Sequence, residues 1–349
     1  MKNEHHHPNN KTKTLKKRLI EIFKKVNPPK AEEYISLLKQ VNYILENEDE
    51  NIRPHDSSGL CGGIVYLKHD IPTIIVPDLH ARREFFLSLM LSTDITGYSN
   101  LQKLCLDMLQ IVCVGDGFHA EGSQAKRWGK AFEEYKTNFK RHRYMDEEMR
   151  DSLGVMEMVQ EVKIAFPANF HFLKGNHENI ANEQGNGNHP FRKYAIEGTM
   201  VLDYIMKFYS EEFLKLYYSF EKNFPLLAVG KNFIISHAEP AAFYDMQSVI
   251  EFRNNPEVIE GLTWTPNDGS EEGTIEEMIE HYLDESQRDF SYYFGGHRPI
   301  RTLYNLRADG RYVQFHNPGK FVITVIKPDR EIDLSKDIIE IENRINEII

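Results

Sequence analysis

The stretch Gly175-Asn176-His177-Glu178 places an amide, an imidazole and a carboxylate directly after an apolar run at residues 170–173. A short apolar run bounded by polar residues predicts a buried strand, and the glycine at its end permits a sharp turn. Side chains of these types bind metal ions or transfer protons. Because polar loops contain similar tetrapeptides by chance, this stretch indicates a functional site only if other clusters of the same character accompany it.

Four further polar clusters follow predicted strands in the same way. These strands are predicted at residues 73–76, 110–114, 233–235 and 292–294. In an α/β protein the ends of such strands converge at one edge of a sheet, where binding sites form. We therefore expect the side chains that follow the strands to meet. The converging set is Asp78, His80, Asp116, Asn176, His237 and His297.

This set of side chains predicts a centre for two divalent transition metal ions. Three imidazoles, one amide and two carboxylates suit Mn, Fe or Zn rather than Ca²⁺, which takes oxygen ligands. Asp116 lies between Gly115 and Gly117, which leave its carboxylate exposed at a strand tip, so we predict that it bridges the two ions. A pair of ions can clamp a phosphate and activate the bridging water.

The composition excludes several other classes of protein. The chain has 349 residues with 41% hydrophobic and 27% charged content, ordinary values for a soluble globular protein with a core that needs no disulfide. Its net charge of −11 disfavours nucleic acid and anionic membranes as partners. No apolar run is long enough to span a bilayer, and no signal peptide is visible. Three cysteines without zinc or redox spacing suit a reducing compartment, so we expect a cytoplasmic protein.

The elements that must position the polar clusters divide the chain into three parts. Residues 1–12 are polar and basic, which predicts a disordered tail. Residues 13–62 contain two helical patterns and are predicted to form an N-terminal helical extension. Residues 63–349 are predicted to form the main α/β domain, with a helical insertion at about residues 122–145. Isoleucines at helical spacing predict a final helix at residues 333–349.

Five motifs carry a family resemblance over residues 63–327. They are Pro77-Asp78-Leu79-His80, Gly115-Asp116, Gly175-Asn176-His177-Glu178, Ser236-His237 and Gly296-His297. The set resembles the calcineurin-like metallophosphoesterases and, in detail, their phosphoprotein (Ser/Thr) phosphatase branch. Nuclease and cyclic-nucleotide esterase branches carry a second metal-binding histidine where this chain has Pro299, which also favours the phosphatase branch. The resemblance implies a two-sheet β-sandwich flanked by helices.

The resemblance also implies a role for each site residue. A hydroxide that bridges the two ions would be the nucleophile, and His177 would be the general acid for the leaving alkoxide. Metal one would be held by Asp78, His80 and Asp116, and metal two by Asp116, Asn176, His237 and His297.

The sequence departs from the family after the second motif. Where the family has Gly-Asp-x-x-Asp-Arg, this chain has His119 and Ala120 at the last two places. The family aspartate orients the histidine that corresponds to His177, so we expect His119 or Glu121 to do so here, because an imidazole needs an acceptor that fixes its tautomer. Glu178 is expected to bond to groups around the ions rather than to an ion.

The family arginine that would stand at Ala120 binds phosphate, so another group must do so in this chain. Arg82 and Arg298 are predicted, since each lies one or two residues from a predicted metal ligand and an arginine can bind phosphate with two parallel hydrogen bonds. Asn176 is a further predicted phosphate contact. Arg83 and Arg301 are alternatives.

We therefore expect a dinuclear metal-dependent phosphatase that hydrolyses phosphomonoesters, above all phosphoserine and phosphothreonine in proteins. One alternative is a nucleotide or dinucleoside polyphosphate hydrolase that uses the same centre. Another is a non-catalytic phosphate-binding scaffold, which the pair His119-Ala120 motivates. The predicted partner is a phosphorylated protein or a small phosphoester, and the oligomeric state stays open.

Overall fold

A computed structural model describes residues 8–343 and residue 345. Within these residues eleven strands form two mixed sheets, one of six strands and one of five. The strands are β1 (Ile64–Tyr66), β2 (Thr73–Val76), β3 (Gln110–Cys113), β4 (Phe170–Phe172), β5 (Leu227–Val229), β6 (Phe233–Ser236), β7 (Tyr292–Gly295), β8 (Asn305–Arg307), β9 (Tyr312–Gln314), β10 (Val322–Ile326) and β11 (Ile338–Glu340). This mixture of sheets and helices confirms the predicted α/β class.

The same residues contain twelve α-helices. They are α1 (Pro8–Lys24), α2 (Ala31–Glu46), α3 (Arg83–Leu91), α4 (Asn100–Cys105), α5 (Lys126–Lys136), α6 (Arg143–Ala165), α7 (Glu197–Phe208), α8 (Glu211–Lys222), α9 (Met246–Ile250), α10 (Pro256–Thr263), α11 (Thr274–Tyr282) and α12 (Leu334–Asp337). Short 3₁₀ helices lie at Gly122–Ala125, Phe252–Asn254, Glu285–Phe290 and Ala308–Gly310. Of the helices described, none is both long enough and apolar enough to cross a membrane.

Parallel pairing brings several strand ends to a common edge in each sheet. The five-stranded sheet has the order β11-β10-β2-β3-β4, and its strands β2, β3 and β4 run parallel. The six-stranded sheet has the order β1-β5-β6-β7-β9-β8, and its strands β6, β7 and β9 run parallel. The loops that leave these six strands at their carboxyl ends are therefore the natural place for a site.

Strand β2 shows why the central strands are apolar on both faces. Ile74 and Val76 pack in a cluster with side chains of the helices, whereas Ile75 packs in a second cluster that contains side chains from both sheets. Successive side chains of a strand point to opposite faces. Because both faces of the strand pack against apolar side chains, the strand reads as a continuous apolar run.

The two N-terminal helices belong to the same core as the helices that follow β3. Leu19 of α1 and Leu38 of α2 lie in one hydrophobic cluster with Leu153 of α6 and Phe213 of α8. Arg18 of α1 also donates hydrogen bonds to α6, to the carboxylates of Glu157 at 2.9 Å and Glu161 at 2.7 Å. The predicted boundaries, a tail to residue 12, an extension to residue 62 and an insertion at 122–145, stay predictions as domain divisions.

Two predicted elements at the chain ends need correction. The predicted disordered tail lies outside the described residues up to residue 7, but residues 8–12 form the first turns of α1. Lys11 holds this end by donating a 2.6 Å hydrogen bond to the carbonyl of Ala165, the last residue of α6, where a cation is favoured. The predicted final helix was wrong for residues 338–340, which form β11 and pair with β10 in antiparallel fashion. β-branched isoleucines suit this sheet edge.

Candidate metal centre

The ends of six strands, three from each sheet, bring their polar side chains together. All of them are buried except His297, which is half-buried. From the five-stranded sheet come Asp78 and His80 after β2, Asp116 after β3, and Asn176 and His177 after β4; from the other come His237 after β6, His297 after β7 and His316 after β9. The structure thus brings all six predicted metal ligands to one place, together with a histidine that was not predicted.

Glycines allow these turns to approach one another. A Cβ atom on Gly115 would lie 2.5 Å from the backbone nitrogen of Gly175, and one on Gly175 would lie 2.2 Å from Oδ1 of Asp116. Several non-glycine residues of the site take left-handed backbone angles, including His80 with φ of 42° and Asp116 with φ of 52°. Such conformations cost energy and concentrate at functional sites, where they aim side chains inward.

One group of facing atoms lies around Asp78. The Nε2 atom of His80 lies 3.6 Å from Oδ2 of Asp78 and 3.7 Å from Oδ2 of Asp116. The Nδ1 atom of His80 lies 3.0 Å from the carbonyl oxygen of His119, to which it can only donate. The proton of a neutral ring is therefore on Nδ1, and Nε2 presents its lone pair to the two carboxylates.

A second group lies around Asn176 and shares Asp116 with the first. The Nε2 atom of His237 lies 3.3 Å from Oδ2 of Asp116 and 3.0 Å from Oδ1 of Asn176. Its Nδ1 atom lies 3.1 Å from the carbonyl of Val114, which again leaves a lone pair on Nε2. The Nδ1 atom of His297 is 2.9 Å from the same Asn176 oxygen. Oxygen and nitrogen acceptors thus face one another, an arrangement that a cation relieves.

The donor atoms fit divalent ions in type and spacing. Oδ2 of Asp78 and Oδ2 of Asp116 are buried and have no hydrogen-bond partner among the described residues. Two atoms bound to one tetrahedral ion at about 2.1 Å lie about 3.4 Å apart. The distances from imidazole nitrogens to these two oxygens run from 3.3 Å for His237 to 3.8 Å for His316, which matches that spacing.

Protonation of the imidazoles also points to a surplus of negative charge. Burial disfavours charge on His80 and His237, but neighbouring carboxylates outweigh it and raise the pKa of each to about 9. Burial likewise opposes ionisation of Asp78, yet the surrounding imidazoles hold its pKa well below the usual range. Metal ions would displace the protons of these histidines and neutralise the same carboxylates.

His177 lies beside the shared carboxylate and is held by two aromatic neighbours. Its Nε2 atom is 3.5 Å from Oδ2 of Asp116, and its Nδ1 atom is 2.9 Å from Nδ1 of His119. The ring of Phe191 packs on His177 with 3.6 Å between ring centroids. Burial, and then the neighbouring His80, lower the pKa of His119 to about 3 and that of His177 well below its usual value. The two histidines therefore form a neutral N–H···N pair.

The two residues considered for orienting His177 have different contacts. His119 contacts His177 directly, whereas Oε2 of Glu121 lies 3.1 Å from Nε2 of His316 and Oε1 pairs with Lys193. His119 is therefore the neighbour of the predicted general acid, whereas Glu121 lies beside the group of atoms around Asp78.

Glu178 ties two of the strand ends together. Its carboxylate accepts hydrogen bonds from the backbone nitrogens of Gly175 at 2.7 Å, Asp116 at 2.9 Å and Gly117 at 2.8 Å. Burial, and then the charge of Asp116, raise the pKa of Glu178. The side chain fixes the loops that carry Asp116 and Asn176 by accepting hydrogen bonds from backbone groups.

The two predicted phosphate-binding arginines lie in different surroundings. The guanidinium of Arg82 donates to the backbone carbonyls of Asp78, at 2.6 Å, and of Leu79, Asn317 and Lys320. Arg298 is exposed and directly follows His297. Lys193, which was not predicted, pairs with Glu121 while 40% of its side chain remains exposed.

Sequence reasoning missed three residues of this site, and only one had a usable signal. His316 directly follows the predicted strand at residues 311–315, just as the predicted ligands follow theirs. Phe191 and Lys193 lie in the connection between β4 and α7, where no periodic pattern or motif marks them. Their role follows only from the fold of this connection over His177.

Comparisons with known proteins identify the fold. No family model matches the sequence, and no curated protein does. Among solved structures, the chain is similar to a protein serine/threonine phosphatase from Saccharomyces cerevisiae with similarity to human phosphatase PP5, at 12% identity over 90% of each chain and a TM-score of 0.54. A cold-active protein tyrosine phosphatase from a psychrophilic Shewanella matches at 12% identity, over 80% of this chain and 82% of that one, with a TM-score of 0.40 that carries no argument. The protein has a phosphatase-like α/β fold, as the sequence resemblance predicted.

Proposed function

We propose that this protein is a dinuclear metal-dependent phosphatase that hydrolyses phosphomonoesters, with phosphoserine and phosphothreonine of proteins as the favoured substrates. The proposal includes the face-to-face β-sandwich that the resemblance implies. It also includes a cytoplasmic location, which rests on the sparse cysteines of the sequence.

The observation that carries this proposal is the pair of buried carboxylate oxygens on Asp78 and Asp116 that lack hydrogen-bond partners among the described residues. A buried charge without a partner costs several kcal/mol, by order of magnitude, so proteins pair such groups or use them to bind ions. Imidazole lone pairs of His80 and His237 face these oxygens. Mixed nitrogen and oxygen donors of this kind suit Mn, Fe or Zn.

Two ions would be held by the groups around Asp78 and Asn176, with Asp116 shared. Bound there, divalent ions supply charge that draws phosphate oxygens into place and lower the pKa of a water molecule. The carboxylate of Glu178 accepts hydrogen bonds from the backbone N–H groups of Asp116 and Gly175, which fixes the position of the shared carboxylate relative to the amide of Asn176. The carbonyl contacts of His80 and His237 fix which ring nitrogen faces inward.

His177 is proposed to donate the proton that the leaving alkoxide takes up. A general acid must lie close to the reacting group and be held in a defined tautomer. In the neutral pair, Nδ1–H of His119 donates to Nδ1 of His177, which leaves the proton of His177 on Nε2, 3.5 Å from Oδ2 of Asp116. Phe191 covers the same ring and excludes water from it.

Cations at the rim are proposed to bind the substrate phosphate, together with Asn176. Arg298 is exposed beside His297, and Lys193 lies beside Glu121 with part of its side chain in solvent. Arg82 would have to release its carbonyl partners before it could bind phosphate, so we favour Arg298 and Lys193 over it.

Metal-dependent turnover tests the proposal directly. The protein is stripped with a chelator, reloaded with Mn²⁺ or Zn²⁺, and assayed with p-nitrophenyl phosphate, a phosphoserine peptide and diadenosine tetraphosphate. We expect metal-dependent hydrolysis of the first two. As a matched control, Asp70→Asn neutralises an exposed carboxylate before β2, at the opposite end of that strand from the site, and should leave the rate unchanged.

Two outcomes would replace the proposal with its alternatives. Faster hydrolysis of diadenosine tetraphosphate than of the phosphopeptide would indicate a nucleotide hydrolase. Binding of metal and inorganic phosphate without turnover of any of the three compounds would indicate a scaffold, the alternative that Ala120 at the place of the family arginine motivates.

A further inference from the structure

We propose that His316 and Glu121 are ligands of the first metal ion, so that this ion is held by a set of residues larger than the predicted Asp78, His80 and Asp116. The proposal deepens the proposed function and rests on it, since it concerns the same centre. Neither residue follows from the motifs in the sequence; both are assigned by their position in the fold.

The donor atoms of His316 and Glu121 lie close to those of Asp78 and His80. The Nε2 atom of His316 lies 3.8 Å from Oδ2 of Asp78 and 3.1 Å from Oε2 of Glu121. The same Glu121 oxygen lies 3.5 Å from Nε2 of His80, which is 3.6 Å from Oδ2 of Asp78. These donor atoms come from three loops, because Asp78 and His80 both follow β2. The ligand atoms of Asp78, His80 and His316 all lie within 4.8 Å of one another, and the Glu121 oxygen lies beside both histidines. The separations of 3.1 to 3.8 Å are close to the distance of about 3 to 3.4 Å between neighbouring atoms bound to one ion at about 2.1 Å.

The ring of His316 has an incomplete set of hydrogen bonds. The residue is fully buried, and its Nδ1 atom has no hydrogen-bond partner among the described residues. Neither tautomer of a neutral ring satisfies both nitrogens. If the proton is on Nδ1, the lone pair of Nε2 faces two carboxylate oxygens, which are also acceptors. A cation between Nε2 and these oxygens removes that repulsion.

The side chain of Glu121 is buried and held in place by Lys193. Its side chain is only 6% exposed, and Lys193 holds its other oxygen, which fixes Oε2 toward the histidines. An immobilised carboxylate oxygen that faces two imidazoles would add a further ligand to those of Asp78, His80 and Asp116.

Metal stoichiometry tests the assignment without depending on activity. Wild type, His316→Ala, His316→Gln and Glu121→Gln are stripped, reloaded with a small excess of Co²⁺ or Zn²⁺, desalted and analysed for metal content and for the visible Co²⁺ spectrum. We expect two ions per wild-type chain. We expect one ion per chain in His316→Ala, and at least about a tenfold weaker first site in His316→Gln and Glu121→Gln.

Two further variants guard against trivial explanations. His171→Gln changes a buried histidine near the start of β4, outside the centre, and should keep both ions. His297→Ala should lose the other ion, so the Co²⁺ bands that remain in it and in His316→Ala should differ. Circular dichroism establishes that each variant is folded, and the amide in His316→Gln preserves the volume of the site if the alanine variant does not fold.

The outcomes separate this assignment from the proposed function. If His316→Ala and Glu121→Gln retain two ions with wild-type affinity and spectrum while the wild type hydrolyses phosphoesters, the assignment is wrong and the function stands. If the wild type binds two ions and His316→Ala binds one, but no variant hydrolyses a phosphoester, the function is wrong and the assignment stands. A wild type that binds no ion overturns both.

Discussion

Two buried clusters of charged side chains lie at opposite ends of strand β4, and they are built differently. At the start of the strand, Glu48 accepts from Arg53 at 2.7 Å with one oxygen and from Lys163 at 2.5 Å with the other. Lys163 also donates to the carbonyl of the first residue of β4 at 3.0 Å. At the far end, Asp78 and Asp116 each keep an oxygen that no described residue bonds.

The difference shows what separates a structural cluster from a binding one. Burial disfavours charge on Glu48, but the permanent charges of Lys163 and Arg53 outweigh it and lower its pKa to about 2. Both oxygens of Glu48 are bonded to these cations, although Nη2 of Arg53 and Nδ1 of the nearby His171 have no hydrogen-bond partner among the described residues. Asp78 and Asp116 face imidazoles instead, and each imidazole offers a lone pair once it has lost its proton. A carboxylate with incomplete bonding among metal-ligating side chains is prepared for a ligand rather than for stability.

The largest expected effect is at the shared carboxylate of the metal centre. Asp116→Asn keeps the size of the side chain and removes its charge, so the link between the two groups of donors is lost. We expect kcat/KM with p-nitrophenyl phosphate to fall by about 1,000-fold or more, which corresponds to about 4 kcal/mol of lost transition-state stabilisation. The thermal midpoint of the metal-stripped protein should change little. A wild-type rate in this variant would contradict the assignment of the centre.

The reverse result is expected at Glu48. Glu48→Gln leaves the charges of Lys163 and Arg53 buried without their partner, and breaking a buried pair in this way costs about 3–5 kcal/mol. The free energy of unfolding, measured with urea, should fall by that amount while kcat of the folded fraction stays at the wild-type value. Glu211→Gln, which removes an exposed pair with Lys215, serves as the control and should leave the urea midpoint unchanged. Equal stability of the two variants would remove the distinction between the clusters.

The sequence predicted the strand ends that carry the site better than it predicted the last element of the chain. The ends of β2, β3, β4, β6 and β7 were recognisable because apolar runs stop at glycine, carboxylate and imidazole side chains; the predicted strand at residues 73–76 has the bounds of β2. By contrast, the helical spacing of the last isoleucines competes with pairing to the exposed edge of β10, and only tertiary structure decides in favour of β11.

The parts of the site that escaped prediction are those that depend on distance in the fold. His316 carried the same signal as the other histidines, but which sheet its strand joins, and hence which ion it faces, follows from pairing partners far away in the chain. Glu121 was considered for orienting His177 because it lies two residues after His119, which stands at the place of the family aspartate. In the fold its side chain contacts His316 instead. Phe191 and Lys193 lie in a connection whose path no local pattern specifies.

A smaller effect is expected at the residue that holds the proposed general acid. In His119→Ala, Nδ1 of His177 loses its partner, and kcat should fall by about 100-fold, the lower end of what general acid catalysis contributes. His119→Asn places an N–H donor there again and should recover most of the rate. The measurement is the pH profile of kcat, since a change in the basic limb separates an effect on the acid from a loss of folding. Identical profiles for wild type and His119→Ala would show that His119 only fills space.

Metal affinity should depend on pH through the histidines that are protonated when no ion is bound. The pKa of His80 and of His237 is raised to about 9, so below pH 9 a proton competes with the ion at each of them. The apparent affinity of each site should therefore fall by about tenfold per pH unit as the pH decreases from 9 to 7. Competition titrations of Zn²⁺ against a chelator at three pH values measure this slope. His171→Gln should have the same slope, because burial lowers the pKa of His171 to about 3.

A pH-independent affinity would mean that no proton is displaced. The carboxylates of the centre would then be balanced in some other way, and the comparison with Glu48, whose cations are permanent, would lose its meaning.

The smallest effects are expected at the rim, where charges are exposed and screened by salt. When metal ion is supplied at a concentration that saturates both sites, Arg298→Met and Lys193→Met should each raise KM for a phosphopeptide by about three- to fivefold and leave kcat within about twofold. Both side chains bind substrate, and Lys193 holds Glu121, but neither contacts the reacting atoms. Lys231→Met, an exposed lysine at the far end of β6 from His237, is the matched control and should change neither constant. Because solvent screens rim charges, the effect of both substitutions should disappear at high ionic strength, whereas the loss in Asp116→Asn should persist. A salt-independent loss of kcat in Lys193→Met would place this lysine inside the reacting centre with Glu121.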